Sequence, residues 1–267
     1  MRTIRTAESN GLTIRLLEHN GTFLGVLLDS SSKRVQLQGN SADEVWHRLH
    51  VEANKANQKY FGFDGAKNRF LRFFPEGGFN SAEYASEERN YKMNAKAKLD
   101  ANAPLGAASK GSGFGEVILS IFRATNLLYP LEKTRLQGLL RSPKGDAFVR
   151  AAANFALEPH ESALLEMASL LKPYDNAKWT VVTYLPFLWR PELHMFLKPE
   201  VTQDFAERVG HRFSSDYQPK IGMSVYNSLL DLASVTEKET AELKPRDRID
   251  VQSFIWVVSD YKEGADS

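Results

Sequence analysis

Cysteine is missing altogether from this chain of 267 residues. That absence excludes disulfides, a thiolate nucleophile and Cys-ligated zinc. Excess charge of either sign is missing too, since 34 Lys and Arg stand against 33 Asp and Glu for a formal net charge of +1. Any binding of nucleic acid must therefore come from a local basic patch, because phosphate neutralisation dominates such affinity. No apolar run approaches the roughly 18 residues that read as a membrane span. The opening MRTIRTAESNG has no apolar core leading to a small-residue cleavage site, so it does not read as a secretory signal. A cytoplasmic protein with no membrane contact is the expectation. His47 and His50 sit three apart on a helical pattern but lack a third ligand, so no metal is expected. Gly106, Gly111, Gly113 and Gly115 lack both the Lys-Ser/Thr pair of a P-loop and the G-x-G-x-x-G spacing. Ser112 among them lacks the strand and spacing of a nucleophile elbow. No Asp…Glu-x-Lys series of a nuclease stands in order. No cofactor is implied.

What is present divides the chain. Residues 12–17, 23–28 and 34–38 read as three short strands, with Asn20-Gly21 a strong hairpin signal between the first two and 30–32 a second turn. Ser41-Ala42-Asp43-Glu44 has the form of a capping box opening a helix to about residue 55. A charged helix follows over 81–100. The stretch 101–115, ANAPLGAASKGSGFG, reads as a linker or mobile loop. Beyond it, residues 117–128, 131–140, 146–157 and 160–171 are helical patterns bounded by Pro, Gly or Ser-Pro, as in a compact bundle. Residues 250–258 read as a last helix capped by Asp250, with a strand left open by the β-branched content. The expected fold is mainly α with a small N-terminal antiparallel β-sheet (α+β). Its parts are residues 1–100, the linker 101–115 and a helical domain over 116–267.

Two stretches carry chemistry. In 60–74, aromatics alternate with cations, and Arg69 and Arg72 lie one helical turn apart. That pattern suits phosphate contacts beside stacking rings, or a buried aromatic helix with snorkelling cations. The second stretch is 171–210. Lys172-Pro173 stops one helix. Tyr174-Asp175-Asn176 makes a turn in which Asn tolerates left-handed geometry. A helix over 178–189 then presents Val181, Tyr184, Leu185 and Leu188 on one face. A connection over 190–199 leads to another helix ending at Gly210.

This unit resembles the helix-hairpin-helix DNA glycosylase superfamily over about 40 residues. Lys178-Trp179-Thr180 stands where that family has its Lys-Thr pair, Pro191 at its loop proline, and Phe205–Gly210 in place of its closing helix. The chain departs from the family in two places. Asp175-Asn176-Ala177 replaces the hairpin glycines, and Lys198-Pro199-Glu200 stands where the catalytic Asp is expected. The resemblance implies DNA as partner, with Asn176, Lys178 and Thr180 as contacts, and the cation pattern of 60–74 adds Arg69 and Arg72. It implies a DNA glycosylase that flips and excises a base, here without the iron–sulfur cluster of some members. The non-standard positions suggest an unusual or modified base, and defence against phage DNA as a role.

Within that frame Lys198 is the nucleophile, since an amine flanked by apolar residues and held by proline is partly desolvated and its pKa falls. Glu200 or Asp204 would stabilise charge developing on the sugar. Tyr184, Trp189, His194 and Phe196 are the expected pocket lining. The plainer reading of 198–200 is a helix start with proline at its first position and Glu200 favouring the dipole. A non-catalytic DNA-binding or interaction protein, or a helical nuclease, is the alternative function.

Overall fold

The computed structural model describes residues 1–9, 12–28, 33–54 and 60–262. Strands β1 (Arg2–Ser9), β2 (Leu12–His19), β3 (Thr22–Leu28) and β4 (Lys33–Gly39) form an antiparallel meander in the order β1-β2-β3-β4. Three strands were expected. The fourth, β1, has no apolar alternation, since Ile4 and Ala7 stand three apart across a register shift at Ile4, and it gains its place by pairing with β2. The β2–β3 turn follows its chemistry, as Asn20 and Gly21 both take positive φ (52° and 76°), which a two-residue hairpin of this twist requires. The turn expected at 30–32 lies outside the described residues.

Helix α1 (Ala42–Asn54) begins where Ser41 Oγ accepts from the Glu44 amide at 3.3 Å, and it covers one sheet face. Leu12, Ile14, Leu16 and Leu27 meet Val45, Trp46, Leu49 and Ala53 in a core of their own. The approach is so close at Gly25 that a Cβ there would fall 2.6 Å from the Leu49 side chain.

The helical body follows. It comprises α2 (Gly62–Phe73), α3 (Ala82–Tyr84), a π-helical turn (Ala85–Arg89), α4 (Asn90–Asn102), α5 (Leu105–Ala108) and α6 (Gly115–Arg123). Then come α7 (Pro130–Leu140), α8 (Gly145–Leu157), α9 (Glu161–Leu171), α10 (Trp179–Trp189) and α11 (Pro199–Val209). Helices α12 (Phe213–Asp216), α13 (Met223–Glu239) and α14 (Arg248–Asp260) complete it. The mainly helical fold with a small N-terminal antiparallel sheet is as expected. None of the helices among the described residues is long and apolar enough to cross a membrane.

The division of the chain falls elsewhere than its glycines suggested. The 101–115 stretch is packed, with Ala103 and Ala108 fully buried. Gly113 N–H donates to Asp146 Oδ1 at 2.8 Å, and Arg150 donates to the Gly111 carbonyl at 3.2 Å. One continuous core runs from Ala66 to Val258, separate from that of the sheet. Helix α14 also corrects its expected cap. Asp247 accepts from the amides of Ile249 (3.0 Å) and Asp250 (3.3 Å). Asp250 is instead fully buried, where it binds Tyr84 Oη (2.6 Å), Arg89 (2.7 Å) and Arg246 (2.9 Å). Burial alone would raise its pKa, yet these donors hold it below the usual carboxylate range.

At the centre lies α10, whose 11 residues are all buried. Such a helix, apolar on every side, is enclosed by others rather than half-exposed. Its start, and that of α11, position the site.

Candidate functional site

A cleft of about 300 Å³ opens where α7, α10 and α11 begin, at the lower end of the range for small-ligand pockets. Each helix starts there for a local reason. Pro130 takes the first position of α7, while Glu132 Oε2 accepts from the Tyr129 amide at 2.9 Å. Before α10, the turn Lys172–Tyr174 closes on Asp175 at φ 50°. The left-handed position thus falls on Asp175 and not on Asn176. Pro199 opens α11.

Four of the sequence-selected residues meet in this cleft: Lys178 and Thr180 from the start of α10, Lys198 and Glu200 from the start of α11. Glu132, which the sequence did not single out, binds the floor together. Its Oε1 accepts from Thr180 Oγ1 at 2.8 Å and lies 3.6 Å from Lys178 Nζ. Formal charges of Lys178 and Lys198 balance those of Glu132 and Glu200. Three helices begin there, and helix N-termini favour negative charge.

Lys198 is half-buried. Its Nζ lies 3.9 Å from the Trp256 ring centroid and 5.2 Å from that of Tyr129. Loss of solvent lowers its pKa below the ordinary lysine value, while Asp260, Glu132, Glu200 and Glu88 pull it back up. Glu200 is exposed in the first turn of α11. Asp204, one turn further along, stays out of the cleft and binds Arg208 at 2.5 Å.

The four residues expected to line the pocket lie in the core. Tyr184 Oη donates to the Ile121 carbonyl at 3.0 Å and lies 2.7 Å from Thr125 Oγ1. Trp189 Nε1 donates to the Ala103 carbonyl at 3.0 Å. His194 is fully buried, with Nδ1 2.7 Å from Tyr226 Oη and Nε2 3.0 Å from the Ala156 carbonyl. Burial lowers its pKa to about 4. Phe196 packs on Tyr184 and Phe187. Helical spacing marks Tyr184 as buried without saying whether a ligand or the core does the burying, and His194 and Phe196 lie in the connection between α10 and α11, where no such spacing applies.

The remaining DNA-contact residues divide as well. Asn176 is fully buried, its Nδ2 donating to the Glu132 carbonyl at 3.0 Å, which removes it from any phosphate. Arg69 donates to the carbonyls of Val258 (2.9 Å) and Tyr261 (2.5 Å) and so ties α2 to the end of α14. Arg72 is exposed in the last turn of α2. Among the described residues no group of three His, Asp or Glu side chains is placed to hold a metal ion. His50 Nδ1 instead lies 3.2 Å from Ser215 Oγ.

Sequence reasoning missed Glu132, Tyr129, Tyr217 and Trp256. For the first two a signal was there, because Tyr129-Pro130-Leu131-Glu132 has the proline and acid of a helix start. No family model, curated protein or solved structure matches the chain.

Proposed function

We propose that the cleft takes a nucleotide turned out of a DNA strand, and that the protein is a glycosylase-like enzyme acting on an unusual or modified base. One observation carries this reading: Lys198 and Glu200 line the same cleft as Lys178 and Thr180. Lys178 and the helix N-termini suit a phosphate. The deprotonated Lys198 amine forms a bond to the anomeric carbon as the glycosidic carbon–nitrogen bond breaks. The base leaves with the bonding pair and takes up a proton. The amine loses a proton, and ring opening, with protonation of the sugar oxygen, leaves a Schiff base. Glu200 stabilises positive charge developing on the sugar.

A second reading has its own support. The Trp256 ring under Lys198 Nζ favours the ammonium form, which holds an anion and does not attack carbon. On that reading the protein binds DNA without cutting it.

Borohydride trapping on DNA carrying normal, damaged and phage-type modified bases separates the two. The expected outcome is a covalent adduct with one base, lost in Lys198→Ala, and alkali-labile sites at that base. Binding without strand breaks on any substrate would leave the non-catalytic reading. Undetectable DNA binding at low salt would end both.

A further inference from the structure

Behind Lys198 lies a second cavity of about 30 Å³, room for one small polar group. Lys198 borders both spaces, and Trp256 and Tyr91 line the inner one. Its floor is polar. Lys92, fully buried, donates to Glu88 Oε2 at 2.9 Å and to Ser253 Oγ at 2.7 Å, while Tyr261 Oη donates to Glu88 Oε1 at 2.9 Å. Glu88 sits on the π-helical turn Ala85–Arg89, a distortion found often at functional sites.

Gln252 breaks this pattern of satisfied groups. It is 5% exposed and lines the inner cavity, yet its carboxamide oxygen has no hydrogen-bond partner among the described residues. It stands on α14 one turn before Trp256, so the two share a face. A buried acceptor with no protein partner, facing a cavity with room for a polar atom, is one that a ligand can complete.

We propose that this inner chamber reads the ligand, with Gln252 Oε1 accepting a hydrogen bond from an exocyclic amino or hydroxyl group of a ring held in the outer cleft. Lys178 then faces the anionic end and Tyr129 is available to the ring. The ligand class is a nucleotide whose base projects an N–H or O–H donor. Gln252 is the specificity-determining residue. The inference rests on the cleft being a nucleotide site.

The test compares wild type with Gln252→Leu, which removes the acceptor at similar volume. Urea unfolding comes first, with a midpoint at least close to that of wild type expected, because no protein group pairs with the carboxamide oxygen. A clear fall would show that the carboxamide serves the fold, and would overturn the proposal. Tryptophan fluorescence then follows binding of paired deoxynucleoside monophosphates. The pairs are dCMP against its 2-pyrimidinone analogue, dAMP against the unsubstituted purine, and 5-hydroxymethyl-dCMP against 5-methyl-dCMP. Wild type is expected to prefer the donor-bearing member of at least one pair by about tenfold, with the preference lost in Gln252→Leu. Nucleotides bound without discrimination, or discrimination that survives in the variant, would sink the role of Gln252 and leave the outer-cleft reading standing. No nucleotide bound by wild type would remove the outer-cleft reading and this inference with it.

Discussion

Helix α10 and the first turn of α11 come from one stretch of chain, yet they have opposite fates. Every side chain of α10 is buried, only Trp179 and Thr180 of its first turn reach the cleft, and its threonines are satisfied inside the protein. Thr183 Oγ1, for example, donates to the Trp179 carbonyl at 2.6 Å and accepts from the Leu197 amide at 3.0 Å. Lys198, just past that amide, meets a cleft on one side and a small polar chamber on the other. The comparison teaches that aromatic residues near a site need not belong to it. Tyr184, Trp189 and Phe196 hold the frame, whereas short polar segments at helix starts form the surface a ligand can touch.

The largest test of the contrast is to remove a ring from the frame. Phe187→Ala should destabilise by about 3–5 kcal/mol, since the site is enclosed and cannot collapse fully. Chemical denaturation checks this. A loss below about 1 kcal/mol would mean that α10 does not bear the packing it shows.

An effect of similar kind comes from pH. The folded-state pKa of His194 is lowered from 6.5 to about 4 by burial, with Arg190 and Arg248 acting the same way, and the Ala156 carbonyl and Glu192 opposing. The unfolded chain therefore binds the proton more readily. Stability is complete above about pH 6.5 and declines as pH falls towards 4, by on the order of 3 kcal/mol from this group. Lys198 behaves differently. Because its pKa is depressed, the free amine should appear at lower pH than for an ordinary lysine, so adduct formation should rise with pH while stability holds. Urea midpoints of His194→Gln against wild type between pH 7 and 4 test the first half. An equal pH slope in the two proteins would refute it. Trapping rates across alkaline pH test the second.

The smallest expected effect on the fold is at the rim. Lys178→Ala should shift stability by no more than about 0.5 kcal/mol, as for other partly exposed side chains. It should nonetheless flatten the salt dependence of DNA binding by about one counterion, which titrations at several ionic strengths would reveal. An unchanged slope would place the nucleic-acid contact away from this cleft.

Local chemistry in the sequence determined a good deal. Asn20-Gly21 dictated a hairpin, Ser41 with Glu44 a helix start, and Lys172-Pro173 the end of α9, because each acts through neighbours in the chain. The same local logic placed Lys198 and Glu200 at the head of a helix. Tertiary structure alone decided the rest. Whether a ring faces core or ligand depends on what packs against it, which is why Tyr184 was legible as buried but not as structural, and why the place of His194, in a connection without helical spacing, was not legible at all. Asn176 and Arg69 likewise lost their expected roles to carbonyls of Glu132, Val258 and Tyr261 that lie far away in sequence. Glu132, Lys178, Lys198 and Gln252 stand on four different helix ends or faces. No spacing in the chain encodes their meeting, since only the packing of α7, α10, α11 and α14 brings those groups around one cleft and the chamber behind it.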